Sequence, residues 1–511
     1  MANLADHLFR QARERGGKKA LIFEGAAFTY SDIAGHVRGI AGGLSRLGVG
    51  VGTRVGLMMH SRPEFIFYQQ AIFALGATAS PMNIFYRRSE LAHTIASCDL
   101  EVLIMAQEFV ERLPELGTAE TRSLKKIVVA GLPSESQTDM LVSAEAMSGD
   151  PIEASVSLPQ SAIGLMLNTS ATTGKAKGVM LSIANIRANY DSTPEWLGLD
   201  QSSVTLCALP LYNTFGLNQC INAFLATGAT MVLMQRFDAG QCLAAIRDYR
   251  CTFFPAVPTM LQKIFDHPDI ANFDLSSISR IMTGAAPVPA ALLERIYAAM
   301  GTDTVVMTGY GLTEATAIVS LDHIALDAAG KVIRPKSIGR VLPGIAMRLV
   351  GESGEPVAVG EVGEICVRGP NVMVGYYKMP EETAVAIVDG WLRTGDLGIV
   401  DEDGYAYIVD RKKDVIIRGG QNIYPADIED VIYHYPGVSE VAVIGVADEV
   451  LGEAPVAYVA MKPGAVATAS DIIARCKQEM AYYKVPASIH FLSELPKGPT
   501  GKILRRALRA S

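Results

Sequence analysis

Short apolar runs alternate with amphipathic stretches through the first third of the chain. Residues 54–59 (RVGLMM) and 102–106 (VLIMA) are typical of strands buried on both faces, whereas residues 63–75 repeat their aromatic side chains at helical spacing. Strands and helices in this order predict crossover units on a largely parallel sheet, and therefore an α/β fold. Similar buried strands are predicted further along, at residues 206–209, 230–234, 252–255 and 281–283.

The pattern changes twice in the second half of the chain. From about residue 335, turn signals such as Asp389-Gly390 and Asp403-Gly404 separate short strands, which predicts a small antiparallel sheet or barrel. After the charged run at 410–414, helical and strand patterns alternate over about a hundred residues, enough for a small α+β domain. We therefore expect one domain at 1–409, with a barrel subdomain at about 335–409, and a second domain at 410–511.

Composition narrows the class of protein. The chain has 511 residues, of which 49% are hydrophobic and 19% charged, so it can bury a large core and is not globally disordered. A net charge of -8 argues against a nucleic-acid partner, because gripping a phosphate backbone requires a basic surface. Seven cysteines without a CxxC pair argue against a disulfide scaffold or zinc ribbon.

The apolar segments do not predict a membrane protein. The N-terminus lacks the apolar core of a secretory signal, and the most apolar later stretch, residues 221–233, is short and interrupted by polar residues. That stretch reads as a core helix followed by a strand. We expect a cytoplasmic protein without a membrane span, and a homodimer remains open.

The most informative segment is residues 167–178 (LNTSATTGKAKG), which lies between two apolar runs. Backbone N–H groups, hydroxyls and lysines in such a loop suit phosphate oxygens. The loop is not a Walker A motif, because Ala176 follows Gly174-Lys175 where that motif needs Ser or Thr. From composition alone, a polar surface hairpin is the alternative.

This loop resembles the phosphate loop of the adenylate-forming superfamily, which includes acyl-CoA synthetases, peptide-synthetase adenylation domains and beetle luciferases. Further segments are similar to family motifs in the right order, and weaker similarity extends into the N-terminal third. The motif segments are residues 284–287 (GAAP), 310–314 (YGLTE), 391–396 (WLRTGD), 410–414 (DRKKD), 418–425 (RGGQNIYP) and 496–502 (PKGPTGK). The resemblance implies a large N-terminal lobe of doubly wound parallel sheets with a small antiparallel barrel, and a smaller mobile C-terminal α+β lobe.

The resemblance also implies a nucleotide site. Glu314, together with Thr169, would hold Mg²⁺, for which carboxylate oxygens are hard ligands. Asp396 would accept hydrogen bonds from the ribose, and Lys502 would bridge the substrate carboxylate and the α-phosphate, so the expected catalytic residues are Lys502, Glu314 and Thr169. The residues expected at ATP and AMP are Thr169, Ser170, Ala171, Thr172, Thr173, Gly174, Lys177, Gly284, Ala285, Ala286, Thr308, Gly309, Tyr310, Gly311, Thr313, Asp396, Arg411 and Lys502.

Two half-reactions follow from the same resemblance: ATP activates a carboxylic acid to an acyl-adenylate, and CoA then takes the acyl group. Gly419 and Gly420 would let the pantetheine arm of CoA pass close to the backbone. Lys413 would be the hinge whose rotation exchanges the two arrangements of the small lobe. The expected cofactors are ATP, CoA and Mg²⁺.

The expected acyl pocket is mostly apolar, which favours a fatty, alicyclic or aromatic acid. The segment 210–220 carries no acid that could hold a substrate ammonium, which disfavours a peptide-synthetase module and favours a free-standing acid–CoA ligase. The pocket residues expected from the resemblance are Asn213, Phe215, Gly216, Val257, Gly309, Gly311 and Ile318.

Three positions depart from the family pattern: Ala171 stands where Gly is preferred, and Asn213 and Ile183 each stand where His is frequent. These departures leave open a catalytically weak relative that binds acids or nucleotide. An adenylating enzyme that passes the acyl group to a carrier protein is a further alternative.

Overall fold

The computed structural model describes residues 2–133, 136–145, 147, 149–169, 176–497 and 503–509, without the side chain of residue 506. It divides into two compact units: Met1–Ala346 with Val367–Leu392, and Met347–Cys366 with Arg393–Ser511. Residues 335–409, where the barrel subdomain is predicted, are divided between the two units. The domain boundary at residue 410 and the hinge near Lys413 stay predictions.

The strands are numbered in chain order. The strands up to residue 341 are β1 Lys19–Phe23, β2 Ala26–Thr29, β3 Arg54–Met58, β4 Thr78–Pro81, β5 Val102–Ala106, β6 Lys126–Ala130, β7 Leu141–Ser143, β8 Ile163–Asn168, β9 Gly178–Ser182, β10 Val204–Cys207, β11 Thr230–Leu233, β12 Phe253–Ala256, β13 Arg280–Gly284, β14 Val305–Gly311, β15 Ile318–His323 and β16 Ser337–Val341. The later strands are β17 Ala346–Val350, β18 Gly363–Arg368, β19 Gly375–Tyr376, β20 Ile387–Val388, β21 Trp391–Val400, β22 Ala406–Arg411, β23 Ile416–Arg418, β24 Gln421–Ile423, β25 Val438–Asp448, β26 Gly452–Met461 and β27 Ser488–Leu492.

The helices are numbered in the same way. They are α1 Asp6–Arg15, α2 Tyr30–Arg46, α3 Pro63–Ala74, α4 Arg88–Ser97, α5 Ile183–Tyr190, α6 Thr193–Trp196, α7 Thr214–Gly216, α8 Ala223–Thr227, α9 Ala239–Tyr249, α10 Pro258–Phe265, α11 Ala290–Met300, α12 Pro380–Ala386, α13 Pro425–Tyr433, α14 Ala469–Glu479 and α15 Arg505–Arg509. A π-helical segment, Leu217–Asn222, joins α7 to α8.

The first unit contains two largely parallel sheets. One has the strand order β19-β9-β8-β4-β3-β5-β6-β7, in which the chain moves from β3 to β4 on one side and from β3 to β5, β6 and β7 on the other. This reversal of strand order makes the sheet doubly wound. The other sheet runs β16-β15-β14-β13-β12-β10-β11-β1-β2 within this unit, and its strands from β14 to β1 are parallel.

Local sequence explains where the helices begin. α2 starts at a capping box, in which the Thr29 side chain accepts the Asp32 N–H and Asp32 accepts the Thr29 N–H, while α3 starts with Pro63 in its first turn. α3 is buried along almost its whole length, so its packing rather than an amphipathic face fixes it in the core.

The strands of the second unit fall into two groups. In the smaller one, β17, β18, β21 and β22 lie side by side, with β21 antiparallel to β22. In the other, β24, β23, β26 and β25 are antiparallel neighbours, and β27 joins β26 in parallel. Helices α13 and α14 bury Ile428, Ile432 and Ile472 in its core, together with Val443 and Val459 from the sheet.

No helix in the described part of the chain is long and apolar enough to pass through a bilayer.

Candidate active site

The candidate site starts at one edge of the second parallel sheet. Strands β12, β13 and β14 are in register there, with Ala256 opposite Thr283 and Gly284 opposite Gly309. The carboxyl ends of parallel strands meet at one sheet edge, where α/β proteins bind ligands. Val257, Ala285 and Ala286 follow these strand ends directly. Many of the residues predicted to bind the nucleotide or the acyl group therefore lie at this edge.

Glycines form a floor without side chains at this edge. A carbon added to Gly311 would lie 1.7 Å from the Ala317 carbonyl oxygen, and one added to Gly284 would lie 2.6 Å from that of Gly309. Ile318 pairs opposite Gly311 at the start of β15. Neighbouring backbone fills the space that a side chain would need at Gly284 and Gly311, so the close packing of these strands requires glycine at both positions.

The loops at this edge hold unusual backbone conformations. Ala285 has φ 64° and Thr316 has φ 69°, in the left-handed region that non-glycine residues rarely occupy. The buried Thr316 hydroxyl donates to the Asn371 carbonyl oxygen at 2.6 Å, and Asn371 Nδ2 donates to the Ala315 carbonyl oxygen at 3.1 Å. These bonds fix the single turn that carries Glu314.

The stem of the predicted phosphate loop lies on the first sheet. Strands β8 and β9 are antiparallel, and the Thr169 N–H continues their pairing by donating to the Lys177 carbonyl oxygen at 3.1 Å. His93 Nε2 lies 3.0 Å from the Ala176 carbonyl oxygen. Five predicted phosphate-loop residues lie outside the described residues: Ser170, Ala171, Thr172, Thr173 and Gly174.

One side chain that sequence reasoning missed, Tyr376, joins this stem to Glu314. Its hydroxyl donates to Glu314 Oε1 at 3.1 Å, and Lys177 Nζ lies 4.7 Å from the centre of its ring. Burial raises the pKa of Tyr376, and the charge of Glu314 adds to the rise, so the hydroxyl keeps its proton at neutral pH. Sixty-two residues separate Tyr376 from Glu314, and no sequence signal marks the pair.

Two residues of the predicted acyl pocket, Asn213 and Gly216, have structural roles at the start of α7. Asn213 is the N-cap of α7, because its Oδ1 accepts the Gly216 N–H at 3.0 Å. A carbon added to Gly216 would lie 2.2 Å from the Pro210 carbonyl oxygen, so this turn requires glycine. Ile183, which stands where relatives often have His, is buried against Ala2 and Leu158.

A buried amide network, also missed from the sequence, supports Ile318. Asn189 Nδ2 donates to the Ile318 carbonyl oxygen at 2.7 Å, and Asn189 Oδ1 accepts the Ile318 N–H at 3.4 Å and Asn218 Nδ2 at 3.2 Å. Asn218 also donates to the Thr193 hydroxyl at 2.8 Å. Asn218 belongs to the π-helical segment, an element that occurs often at functional sites.

The predicted ribose residues pair with each other in the second unit. Asp396 and Arg411 are opposite on β21 and β22, and Arg411 Nε lies 2.6 Å from Asp396 Oδ1. Glu364, which the sequence did not single out, is buried beside them. Its carboxylate lies 2.9 Å from Lys412 Nζ and accepts the Gly395 N–H at 3.2 Å.

The C-terminal helix α15 is tied to the predicted hinge segment. Arg505 donates to both Glu429 oxygens at 2.7 and 2.8 Å and to Asp414 at 3.3 Å. Burial opposes the charge of Arg505, but Glu429, Asp410 and Asp414 raise its pKa. Burial also raises the pKa of Asp410, whose Oδ2 accepts the Ala426 N–H.

Lys502 lies outside the described residues, together with residues 498–501, and the description resumes at Ile503. Lys497 pairs with Ile503 in an antiparallel bridge, and the Leu504 N–H donates to the Pro496 carbonyl oxygen at 2.8 Å. Lys413, the predicted hinge, lies in the single turn Lys412–Asp414.

Gly419 and Gly420 form the two-residue turn between β23 and β24. Both have positive φ, 56° and 80°, and the flanking residues Arg418 and Gln421 are paired. A hairpin turn with two positive φ angles favours glycine at both positions, so this turn keeps the backbone free of side chains.

Comparison with known proteins agrees with this geometry. The family described as AMP-binding enzyme matches residues 8–377, and the AMP-binding enzyme C-terminal domain matches residues 427–502. The feruloyl-CoA synthase of an Amycolatopsis species is 37% identical over 98% of this chain and 97% of its own length.

Two solved structures are similar over nearly the whole chain. The anthranilate CoA ligase AuaEII in complex with anthranoyl-AMP has a TM-score of 0.89 and 29% identity, covering 100% of this chain and 97% of that one. The o-succinylbenzoate CoA synthetase MenE of Bacillus subtilis, in complex with ATP and magnesium ion, has a TM-score of 0.86 and 28% identity, covering 98% and 99%.

The doubly wound sheets and the separate C-terminal domain define an enzyme of the adenylate-forming class. The chain belongs to the AMP-binding enzyme family, in its acyl-CoA synthetase branch. It is an AMP-forming acid–CoA ligase that uses ATP, CoA and Mg²⁺. The predicted fold class, family, enzyme class and cofactors are confirmed.

Proposed function

We propose that the sheet edge around Gly284, Gly309 and Gly311 binds the acid and the adenine, and that the acid is aromatic. The observation that carries the proposal is the placement of Lys177 and Glu314 on one tyrosine, within the unit that holds this glycine floor. A cation from the phosphate loop and a carboxylate suited to Mg²⁺ are thereby placed together.

The acid–CoA ligase reaction has two steps. A carboxylate oxygen of the acid attacks the α-phosphorus of ATP, pyrophosphate leaves, and an acyl-adenylate forms. The thiol of CoA, losing its proton, then attacks the acyl carbon and AMP leaves. In phosphoryl transfer the protein mainly positions the reactants and neutralises charge.

Each proposed role belongs to a residue of this chain. The loop from Thr169 to Lys177 would hold the β- and γ-phosphates, and Lys502 would bridge the carboxylate and the α-phosphate. Mg²⁺, held by Glu314 and Thr169, would offset the phosphate charge when bound. Asp396 and Arg411 would contact the ribose, Gly419 and Gly420 would face the pantetheine, and Lys413 would be the hinge.

An aromatic acid suits the proposed pocket for two reasons. The first is that its proposed residues carry no charge and include the aromatic side chain of Phe215. The similarity to a feruloyl-CoA synthase and to a structure holding anthranoyl-AMP supports the same class of acid.

A pyrophosphate-exchange assay over a panel of acids tests this proposal. The panel contains benzoates and cinnamates, saturated fatty acids of several lengths, and short dicarboxylates. We expect acid-dependent exchange with the aromatic acids and the lowest KM among them. Exchange with fatty acids alone would overturn the aromatic assignment, and no exchange with any acid would favour a binding protein.

We further propose that the protein works in the cytoplasm. All seven cysteines are free and buried, which suits a reducing compartment. A homodimer stays a prediction that sedimentation velocity can test.

A further inference from the structure

We propose that Tyr376 is a positioning residue for the adenylation step, which it serves by holding Glu314 and Lys177 in place with a single side chain. The inference rests on the proposed function, because it takes Glu314 as a magnesium ligand and Lys177 as a phosphate-loop cation.

The hydroxyl and the ring of Tyr376 make two different kinds of interaction. The phenol O–H donates to a carboxylate oxygen, a charge-assisted hydrogen bond that fixes the orientation of the carboxylate. Such outer partners of metal-ligating carboxylates tune metal affinity. The ring face, 4.7 Å from Lys177 Nζ, attracts the ammonium as a cation–π partner.

Tyr376 is itself held in place by the backbone. It lies in β19, opposite Val179 of β9, and its N–H donates to the Thr383 hydroxyl at 2.9 Å. The Met373 N–H donates to the Glu314 carbonyl oxygen at 2.8 Å, so the same segment also fixes the turn that carries Glu314. The geometry between the phenol and the carboxylate is therefore set by two independent connections.

The adjacent Tyr377 provides a matched control. Its hydroxyl donates to Asp99 Oδ2 at 3.0 Å, and the Arg54 guanidinium lies 5.9 Å from its ring centre. Tyr377 thus repeats the combination of phenol, carboxylate and cation on the same chain segment, but with none of the proposed site residues.

The test measures ATP binding by isothermal titration calorimetry in the absence of acid, once with Mg²⁺ and once with EDTA. Y376F keeps the ring over Lys177 and removes the hydrogen bond, so we expect Mg²⁺-dependent ATP affinity to fall about tenfold. ATP affinity in EDTA should stay unchanged. Y376L removes the ring as well and should also weaken binding in EDTA, whereas Y377F should change neither value.

A second measurement separates positioning from folding. In an E314Q background, Y376F should have no further effect on Mg²⁺-dependent binding, because the carboxylate through which it acts is gone. Thermal unfolding of Y376F and Y377F identifies any general loss of stability.

Equal loss of affinity with and without Mg²⁺, or the same loss in Y377F, would overturn the role of Tyr376. Failure of the proposed function has a different signature, because wild-type protein would then show no acid-dependent pyrophosphate exchange. Wild-type exchange combined with unaltered Mg²⁺-dependent binding in Y376F rejects the positioning role alone.

Discussion

Asn189 is a single buried side chain that joins three segments behind the predicted acyl pocket. It bonds both the N–H and the carbonyl group of Ile318, and it accepts a hydrogen bond from the π-helical segment through Asn218. Because each of these groups is buried, removing the amide would leave several of them without a partner. The amide therefore sets the position of Ile318 relative to the glycine floor.

We predict that Asn189→Ala destabilises the protein by about 2–3 kcal/mol, since unpaired buried polar groups carry a desolvation penalty. Urea unfolding followed by tryptophan fluorescence measures this change. We also expect a higher KM for the acid with little change in the KM for ATP. Asn272→Ala, at an exposed position, is the control, and an equal loss in both variants would contradict the prediction.

Residues inside continuous motifs could be predicted from the sequence, whereas their supporting contacts could not. Glu314 and Asp396 stand in recognisable local patterns. Tyr376, Glu364 and Asn189 act through partners that are distant in sequence, and these partners meet only through strand register and turn geometry. A single sequence carries no local signal for such meetings.

At the scale of the element, α15 is a short helix held by charge. Its Arg505 reaches Glu429 with two hydrogen bonds and Asp414 with a third, and Arg509 reaches Asp414 at 3.2 Å. A helix of five residues is not stable in isolation, so these contacts and the burial of Leu508 hold it. The helix begins at Arg505, three residues after Lys502 in the sequence.

We predict that Arg505→Gln costs about 3 kcal/mol of stability in the second unit, because it leaves the partly buried Glu429 without its bidentate cation and removes one of the two arginines at Asp414. Hydrogen exchange of α15 and α13 measures the loss. Arg509→Gln removes a single contact, with Asp414, made by a more exposed side chain, so it should cost much less stability. A similar cost in both variants would show that the bidentate pair with Glu429 is not the main anchor.

Elements with strong apolar patterns were predicted well. The strand expected at 102–106 is Val102–Ala106, the helix expected at 63–75 is Pro63–Ala74, and the strand expected at 230–234 is Thr230–Leu233. The π-helical form of residues 217–222 was not predicted, because its hydrophobic pattern does not distinguish it from an α-helix.

For the whole molecule, the proposed chemistry predicts two separable half-reactions. Lys502→Ala should abolish acid-dependent pyrophosphate exchange, because the proposed bridging charge is lost, and it should leave thioester formation from preformed acyl-adenylate. Removal of a group that acts on developing charge costs on the order of 10²–10³ in rate. Both activities can be measured on the same preparation.

Lys497→Ala is the matched control for this variant. Lys497 lies five residues before Lys502 and forms ion pairs with Glu440 at 2.5 Å and Glu494 at 3.0 Å. We expect it to keep pyrophosphate exchange. Equal loss of both half-reactions in Lys502→Ala would refute the division of labour.

The glycine floor also limits which substitutions could be accepted at this edge of the sheet during evolution. A side chain on Gly284 or Gly311 would collide with a backbone oxygen that cannot move aside. Substitution of either glycine would therefore disrupt the sheet and be selected against. A carbon on Gly309 would meet the terminal methyl of Met282 at 2.8 Å, and a methionine tip swings away easily. Of these three glycines, Gly309 is therefore the one at which a lineage could accept a larger residue.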